Sequence, residues 1–237
     1  MATPTRFTHG VTTAAKTNPL GQYGRPDPTV WHTFFNDFDT YTAGDWTVTV
    51  VGTTPTAALT DIDGGALLLT NAATDNSEIE LQKVGESFLL TAGKKTIFKA
   101  KFKVSDATQS DFLIGLAITD TTLMGAVSGA GVTDGVFFNK DDGDALLDVQ
   151  CQKNATTGQT RAAGIATVAD DTFLTVAWYY DGIDRIEYSV NDVMLGALDG
   201  SSTYLPDTEL TVSIAMMNGE AVAKTMTLDY IFAAQER

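Results

Sequence analysis

Between residues 31 and 237 apolar and polar positions alternate in short runs, each closed by a turn signal. In Ile97-Phe-Lys-Ala-Lys-Phe-Lys-Val104, Phe98, Ala100, Phe102 and Val104 share one face, while Lys99, Lys101 and Lys103 share the other. Residues 185–190 repeat the pattern, with Ile186, Tyr188 and Val190 opposite Arg185, Glu187 and Ser189. A period of two is that of a half-buried antiparallel strand. Read this way, the chain predicts strands at 33–38, 46–51, 66–70, 78–81, 95–104, 112–119, 135–139, 146–152, 173–180, 185–190, 193–197, 210–216 and 225–232. The connectors Asp63-Gly-Gly65, Asp142-Gly143, Asp181-Gly182, Asn191-Asp192 and Asp199-Gly200 hold residues that tolerate positive φ. Residues 176–190 therefore predict a hairpin that continues through Asn191-Asp192 into a third strand. Apart from short helical turns near 84–90 or 120–128, nothing has a helical period, so the fold class is all-β. The stretch from Gly125 to Gly135, rich in Gly and Ala, reads as a flexible surface loop; it lacks the lysine and following helix of a phosphate-cradling loop.

The first thirty residues break this pattern. They hold four of the six prolines and seven threonines, and no apolar periodicity. We divide the chain into an extended N-terminal attachment arm, 1–30, and a single β-sandwich domain, 31–237. Proline and threonine keep such an arm extended, and Phe7, Leu20, Tyr23, Val30 and Trp31 supply spaced apolar anchors. Charge sharpens the division. The chain carries 15 basic and 30 acidic residues, a net −15; residues 1–30 hold +2 of this and the body −17. Such a body is a poor partner for nucleic acid, because phosphate neutralisation needs a basic face. The arm, through Arg6, Lys16 and Arg25, is the segment drawn to an acidic surface. Arg6, Phe7, Lys16, Leu20, Tyr23, Arg25 and Trp31 are the expected partner-binding residues.

A single cysteine, Cys151, excludes an intramolecular disulfide framework and reads as a small buried core residue. No basic segment followed by an apolar run marks a signal peptide, and no run approaches a membrane span. Folding in a reducing cytoplasm, without a membrane, is the expectation.

Several strings resemble a known family. Phe35-Asn-Asp-Phe-Asp-Thr-Tyr41 followed by Gly44-Asp-Trp46 resembles the start of a concanavalin A-like, laminin G-type jelly roll found in bacteriophage virion proteins. Gly135-Val-Phe-Phe-Asn-Lys-Asp-Asp-Gly-Asp144 and Thr175-Val-Ala-Trp-Tyr-Tyr-Asp-Gly182 are similar to later parts of that fold. The resemblance covers residues 31–237 and implies a jelly-roll β-sandwich whose last strand pairs near its first, as Leu228-Asp-Tyr-Ile-Phe232 suits.

The same superfamily holds lectins and glucanases. Its retaining glucanases share a Glu-x-Asp-x-x-Glu strand; the nearest string here, Glu78-Ile-Glu-Leu-Gln-Lys83, has Lys83 where the last acid belongs. Glu78 and Glu80 share a face, which suits acid/base work, but they read as the polar face of an exposed strand. Asn139-Lys-Asp-Asp-Gly-Asp144 offers oxygen ligands for Ca²⁺ through Asp141, Asp142 and Asp144, yet an acidic β-turn accounts for it. Trp46, Trp178, Tyr179 and Tyr180 form either a sugar-stacking platform or, with Trp178 and Tyr180 on one face, core. No Gly-x-Ser-x-Gly elbow occurs.

The resemblance and the arm together imply a virion structural protein and no enzyme, cofactor or metal. The leading expectation is a capsid decoration or cement protein, assembled into the virion in the host cytoplasm. Its partners would be the major capsid protein and further copies of itself. The alternative is a carbohydrate- or receptor-binding module of a head or tail fibre.

Overall fold

The computed structural model describes residues 29–125, 128–155 and 158–237. The anchors Arg6, Phe7, Lys16, Leu20, Tyr23 and Arg25 lie outside the described residues.

Fifteen strands run through this part of the chain: β1 (Trp31–Asn36), β2 (Trp46–Val51), β3 (Thr56–Thr60), β4 (Ala66–Thr70), β5 (Glu78–Lys83), β6 (Thr96–Val104), β7 (Ser110–Ala117) and β8 (Gly135–Lys140), then β9 (Leu146–Lys153), β10 (Gly158–Thr167), β11 (Leu174–Tyr180), β12 (Arg185–Val190), β13 (Val193–Asp199), β14 (Thr211–Asn218) and β15 (Thr225–Glu236). The described residues hold no α-helix; a 3-10 turn spans Ala43–Asp45. Neither 84–90 nor the described part of 120–128 forms a helical turn.

All pairings are antiparallel. Sheet A runs β13-β12-β11-β6-β15-β4-β3 with β1 also on β15; sheet B runs β10-β9-β8-β7-β14-β5-β2. The pairing of β1 with β15, Trp31 opposite Glu236 through Asn36 opposite Ile231, brings first and last strands together as expected. The 11-12-13 unit forms as predicted, and its second turn uses Asn191 and Asp192 at φ 50° and 61°, the left-handed pair that matches the twist of a two-residue hairpin.

The sheets pack face to face. From sheet A come Phe98, Ala100, Phe102, Val176, Trp178, Tyr180 and Ile231; from sheet B, Phe112, Ile114, Leu116, Val136, Phe138, Val149, Cys151 and Ile214. Trp178 stacks on Phe98 at 6.0 Å, and Phe102 meets Phe112 edge-on at 5.1 Å. The thiol of Cys151 is buried and its pKa pushed up by that burial.

Two strands were not legible in the sequence. β3, Thr-Ala-Ala-Leu-Thr, is a short edge strand, and β10 is a small-residue edge strand with a register shift between Ala162 and Ala166. Trp31, one of the expected partner-binding residues, falls among the described residues. It lies within β1, buried against Ile97, Tyr179 and Ala234 on the outer side of sheet A.

Candidate binding face on sheet B

The outer side of sheet B is built by the residues that alternate with its core positions. β5 presents Glu78, Glu80 and Gln82; β14 presents Ser213, Ala215 and Met217; β7 presents Asp111, Leu113 and Ala117. β8 adds Phe137 and Asn139, β9 adds Asp148, Gln150 and Gln152, and β10 adds Gln159 and Arg161. These side chains belong to a solvent-facing side by strand geometry, yet most of them are buried.

Their cover is the segment joining β7 to β8. Leu123, Met124 and Val132 descend onto Leu113, Ala117, Phe137, Ala215 and Met217 in a second apolar cluster separate from the main core. Hydrogen bonds fasten the described part of the segment at several points. Gln82 Nε2 donates to the Ile118 carbonyl at 3.0 Å, and its Oε1 accepts from Asp120 N at 2.9 Å. A Glu80 carboxyl oxygen accepts from the N–H of Leu123 at 2.6 Å and of Met124 at 3.4 Å. Asn139 Nδ2 donates to the Ser128 carbonyl, and Gln152 Nε2 to that of Val132. Gly131 sits so tightly that a Cβ there would fall 1.4 Å from the Thr122 carbonyl oxygen. The described part of 118–134 is thus a packed plug, not the flexible surface loop its composition suggested.

Glu78 and Glu80 share a face, as their spacing required, but they are buried rather than exposed, at 8% and 1% of full accessibility. The cause is the plug, which no local pattern in β5 announces. Burial, then the hydrogen bond and charge of Glu80, raise the Glu78 pKa to about 8. Glu78 Oε1 and Glu80 Oε2 are buried with no N–H or O–H donor to meet them. A proton held between the carboxyls relieves that deficit.

The acidic turn after β8 disperses its carboxylates. Asp141 accepts from Ser128 N, Asp144 from Leu146 N, and the Asp142 N–H is taken by Asp111. Burial, followed by the charge of Asp142, pushes the Asp111 pKa up to about 7. Lys140 is fully buried and donates to the carbonyls of Thr108, Ser110 and Asp141, which satisfies all three of its N–H groups. Among the described residues no cluster of three His, Cys, Asp or Glu side chains could hold a metal ion. Trp46, Trp178 and Tyr180 are core, and Tyr179 joins Trp31 on the far side of sheet A, so these rings form no stacking platform.

One part of the face stays open. A cavity of about 190 Å³ is lined by Asn139, Asp141, Gln150, Gln152, Gln159 and Arg161, with Ser128 to Ala130 at its rim. A second, of about 140 Å³, adjoins it through Asp141 and Arg161 and reaches Asp144 and Asp148. Gln159 Nε2 donates to Gln150 Oε1 at 2.7 Å, Arg161 pairs with Asp148, and Asn139 Oδ1 is buried without a partner. A larger cavity, about 310 Å³, lies between β1 and residues 83–88. Its ring faces are already taken: the Lys83 ammonium lies 5.6 Å from the centre of the Phe34 ring, and His32 packs on Phe88 at 5.0 Å.

No protein-family model and no curated protein matches the sequence. Solved structures do match the fold. The endo-1,3-β-glucanase from Streptomyces sioyaensis superposes with a TM-score of 0.60 at 14% identity, covering 90% of this chain and 99% of that one. Peanut lectin follows the same path with a TM-score of 0.58 at 12% identity, covering 86% and 97%. The carbohydrate recognition domain of Emp46p, in its potassium-bound form, gives a TM-score of 0.56 at 10% identity, covering 84% and 94%. The fold is therefore the concanavalin A-like jelly-roll sandwich of lectins and glucanases, as the sequence resemblance implied.

Proposed function

We propose that the protein is a carbohydrate-binding module without catalytic activity, and that its site is the open trough over β8, β9 and β10. The observation that carries this reading is the contrast on one face. The carboxyl pair on β5, which a glycosidase would need to present to substrate, is held beneath the chain's own backbone. Arg161, Gln159 and Asp141 reach open space instead, at a cavity whose floor is the buried amides of Asn139, Gln150 and Gln152. Planar amides, a carboxylate and a guanidinium offer paired donors and acceptors that suit the vicinal hydroxyls of a sugar. Lectin-like neighbours in fold agree with this assignment, though at their identities they speak for the fold alone.

A glycan array on the full chain, followed by calorimetric titration of the best ligand, tests the reading. Gln150→Ala and Arg161→Ala should each weaken binding about tenfold or more, the loss of roughly 1.4 kcal/mol of contact. A protein that binds no glycan, or variants that bind as well as the parent, would overturn it.

The charge division favours a second reading, a capsid decoration protein of a bacteriophage virion. The +2 arm and the −17 body prefer different surfaces, which fits an arm laid on an acidic shell protein while the sandwich faces outward. Its test is removal of residues 1–30. The shortened protein should stay folded but fail to join particles; continued decoration would remove this reading.

A further inference from the structure

The plug over sheet B rests on a titratable seat. Glu80 receives the backbone N–H groups of Leu123 and Met124, and Glu78, two residues earlier on the same face, hydrogen-bonds to Glu80. The groups around this pair offer no compensating charge. β14 places Ala215 and Met217 beside it, and β2 places Thr49 and Val51 there. The described plug residues carry only Asp120 and Asp134. Asp120 is committed to Thr121 N, Thr122 N and Thr122 Oγ1, and Asp134 accepts from Asn154 N. Beyond Met217 the next charged side chain on this face is Asp111 on β7. Lys83, at the end of β5, points to the other side and lies over Phe34. A second negative charge at this seat would therefore be buried against acids, without a cation to balance it.

We propose that Ile118–Met124 is a pH-released plug, closing the outer face of sheet B while Glu78 carries a proton toward Glu80 and leaving that face when Glu78 ionises. With the proton in place, Glu78 donates to Glu80, whose remaining lone pairs hold the two backbone N–H groups. Without it, two like charges lie side by side under Leu123 and Met124. Repulsion between them is relieved only by admitting water, and admitting water means lifting the segment. Release uncovers a floor of Glu78, Glu80, Gln82 and Ser213 that is closed at lower pH. The device stands whether or not the neighbouring trough takes a glycan.

Amide hydrogen exchange on the full chain at pH 6 and pH 9 tests it, corrected for intrinsic exchange, with the amides of β6 as internal reference. Protection of residues 118–124 relative to β6 should fall about tenfold or more from the lower to the higher pH. In Glu78→Gln, whose amide donates to Glu80 at every pH, the segment should stay protected at both. In Glu80→Ala, which removes the acceptor, it should be unprotected at both. Equal protection of the parent at the two pH values would overturn the proposal. So would a Glu78→Gln variant with the parent's pH dependence; these two comparisons decide the matter even if Glu80→Ala does not fold.

Discussion

The outer faces of the two sheets are built from the same strand geometry and have opposite fates. On sheet A, Lys99, Lys101 and Lys103 stand at alternate positions of β6 and pair with Asp192 at 2.6 Å, Asp229 at 2.5 Å and Asp171 at 3.5 Å. On sheet B the corresponding positions of β7, β8 and β14 carry Leu113, Ala117, Phe137, Ala215 and Met217, all buried under the plug. Around these lysines the first face meets water and is held by charge, with one small apolar cluster, Trp31, Ile97, Tyr179 and Ala234, beside them. The second is a core of its own, with the chain as its lid. Alternation therefore reports whether one side of a strand meets solvent; where both sides are apolar, something must cover both.

The sharpest way to break this comparison is to truncate one residue from each face. Phe137→Ala, although on an outer face, should cost about 3–5 kcal/mol in urea unfolding, as for a core aromatic. A cost near zero would mean that the plug packs loosely. Gly131→Ala comes next. Its Cβ would collide with the Thr122 carbonyl, so it should cost about 1–3 kcal/mol through overpacking and deprotect the amides of residues 118–124.

The pH dependence separates the faces more finely. The Glu78 pKa rises from 4.5 to about 8 on folding, so the folded state keeps a proton that the unfolded chain has released between those values. Its contribution to stability is full below about pH 4.5 and declines as pH rises toward about 8. Asp111, raised from 3.8 to about 7, acts in the same direction over its own window. Relative to the parent, Glu78→Gln should flatten the fall in urea midpoint between pH 5 and pH 8; an unchanged slope would contradict a buried, proton-holding carboxyl. The smallest effect belongs to sheet A. Lys101→Ala should change stability by no more than about 1 kcal/mol, because its partner pair is partly exposed.

These contrasts also mark what the sequence made legible. β6 and β12 were readable because their polar residues mark the wet positions, and β11 and β13 because Asp-Gly and Asn-Asp turns fix their ends. β3 and β10 were not, since edge strands of Thr, Ala and Gly bury too little to carry a pattern. The shared face of Glu78 and Glu80 followed from spacing, but their burial depended on a segment some forty residues away. A signal for it was present. Phe112-Leu-Ile-Gly-Leu-Ala117 and the adjacent Phe137 and Phe138 show no alternation, which asks for cover on both sides. The Asp141, Asp142 and Asp144 turn looked like an ion site because composition cannot tell which backbone N–H each carboxylate will cap.

The chain's own segment lies over sheet B, seated on Glu80 with Glu78 beside it. Carbon-13 NMR of the Glu78 side-chain carboxyl, followed through a pH titration together with the Leu123 and Met124 amide signals, tests this most directly. The structure predicts a Glu78 midpoint near 8, with both amides moving at that same midpoint. A Glu78 that titrates near 4.5, beside amide signals that do not change, would contradict it.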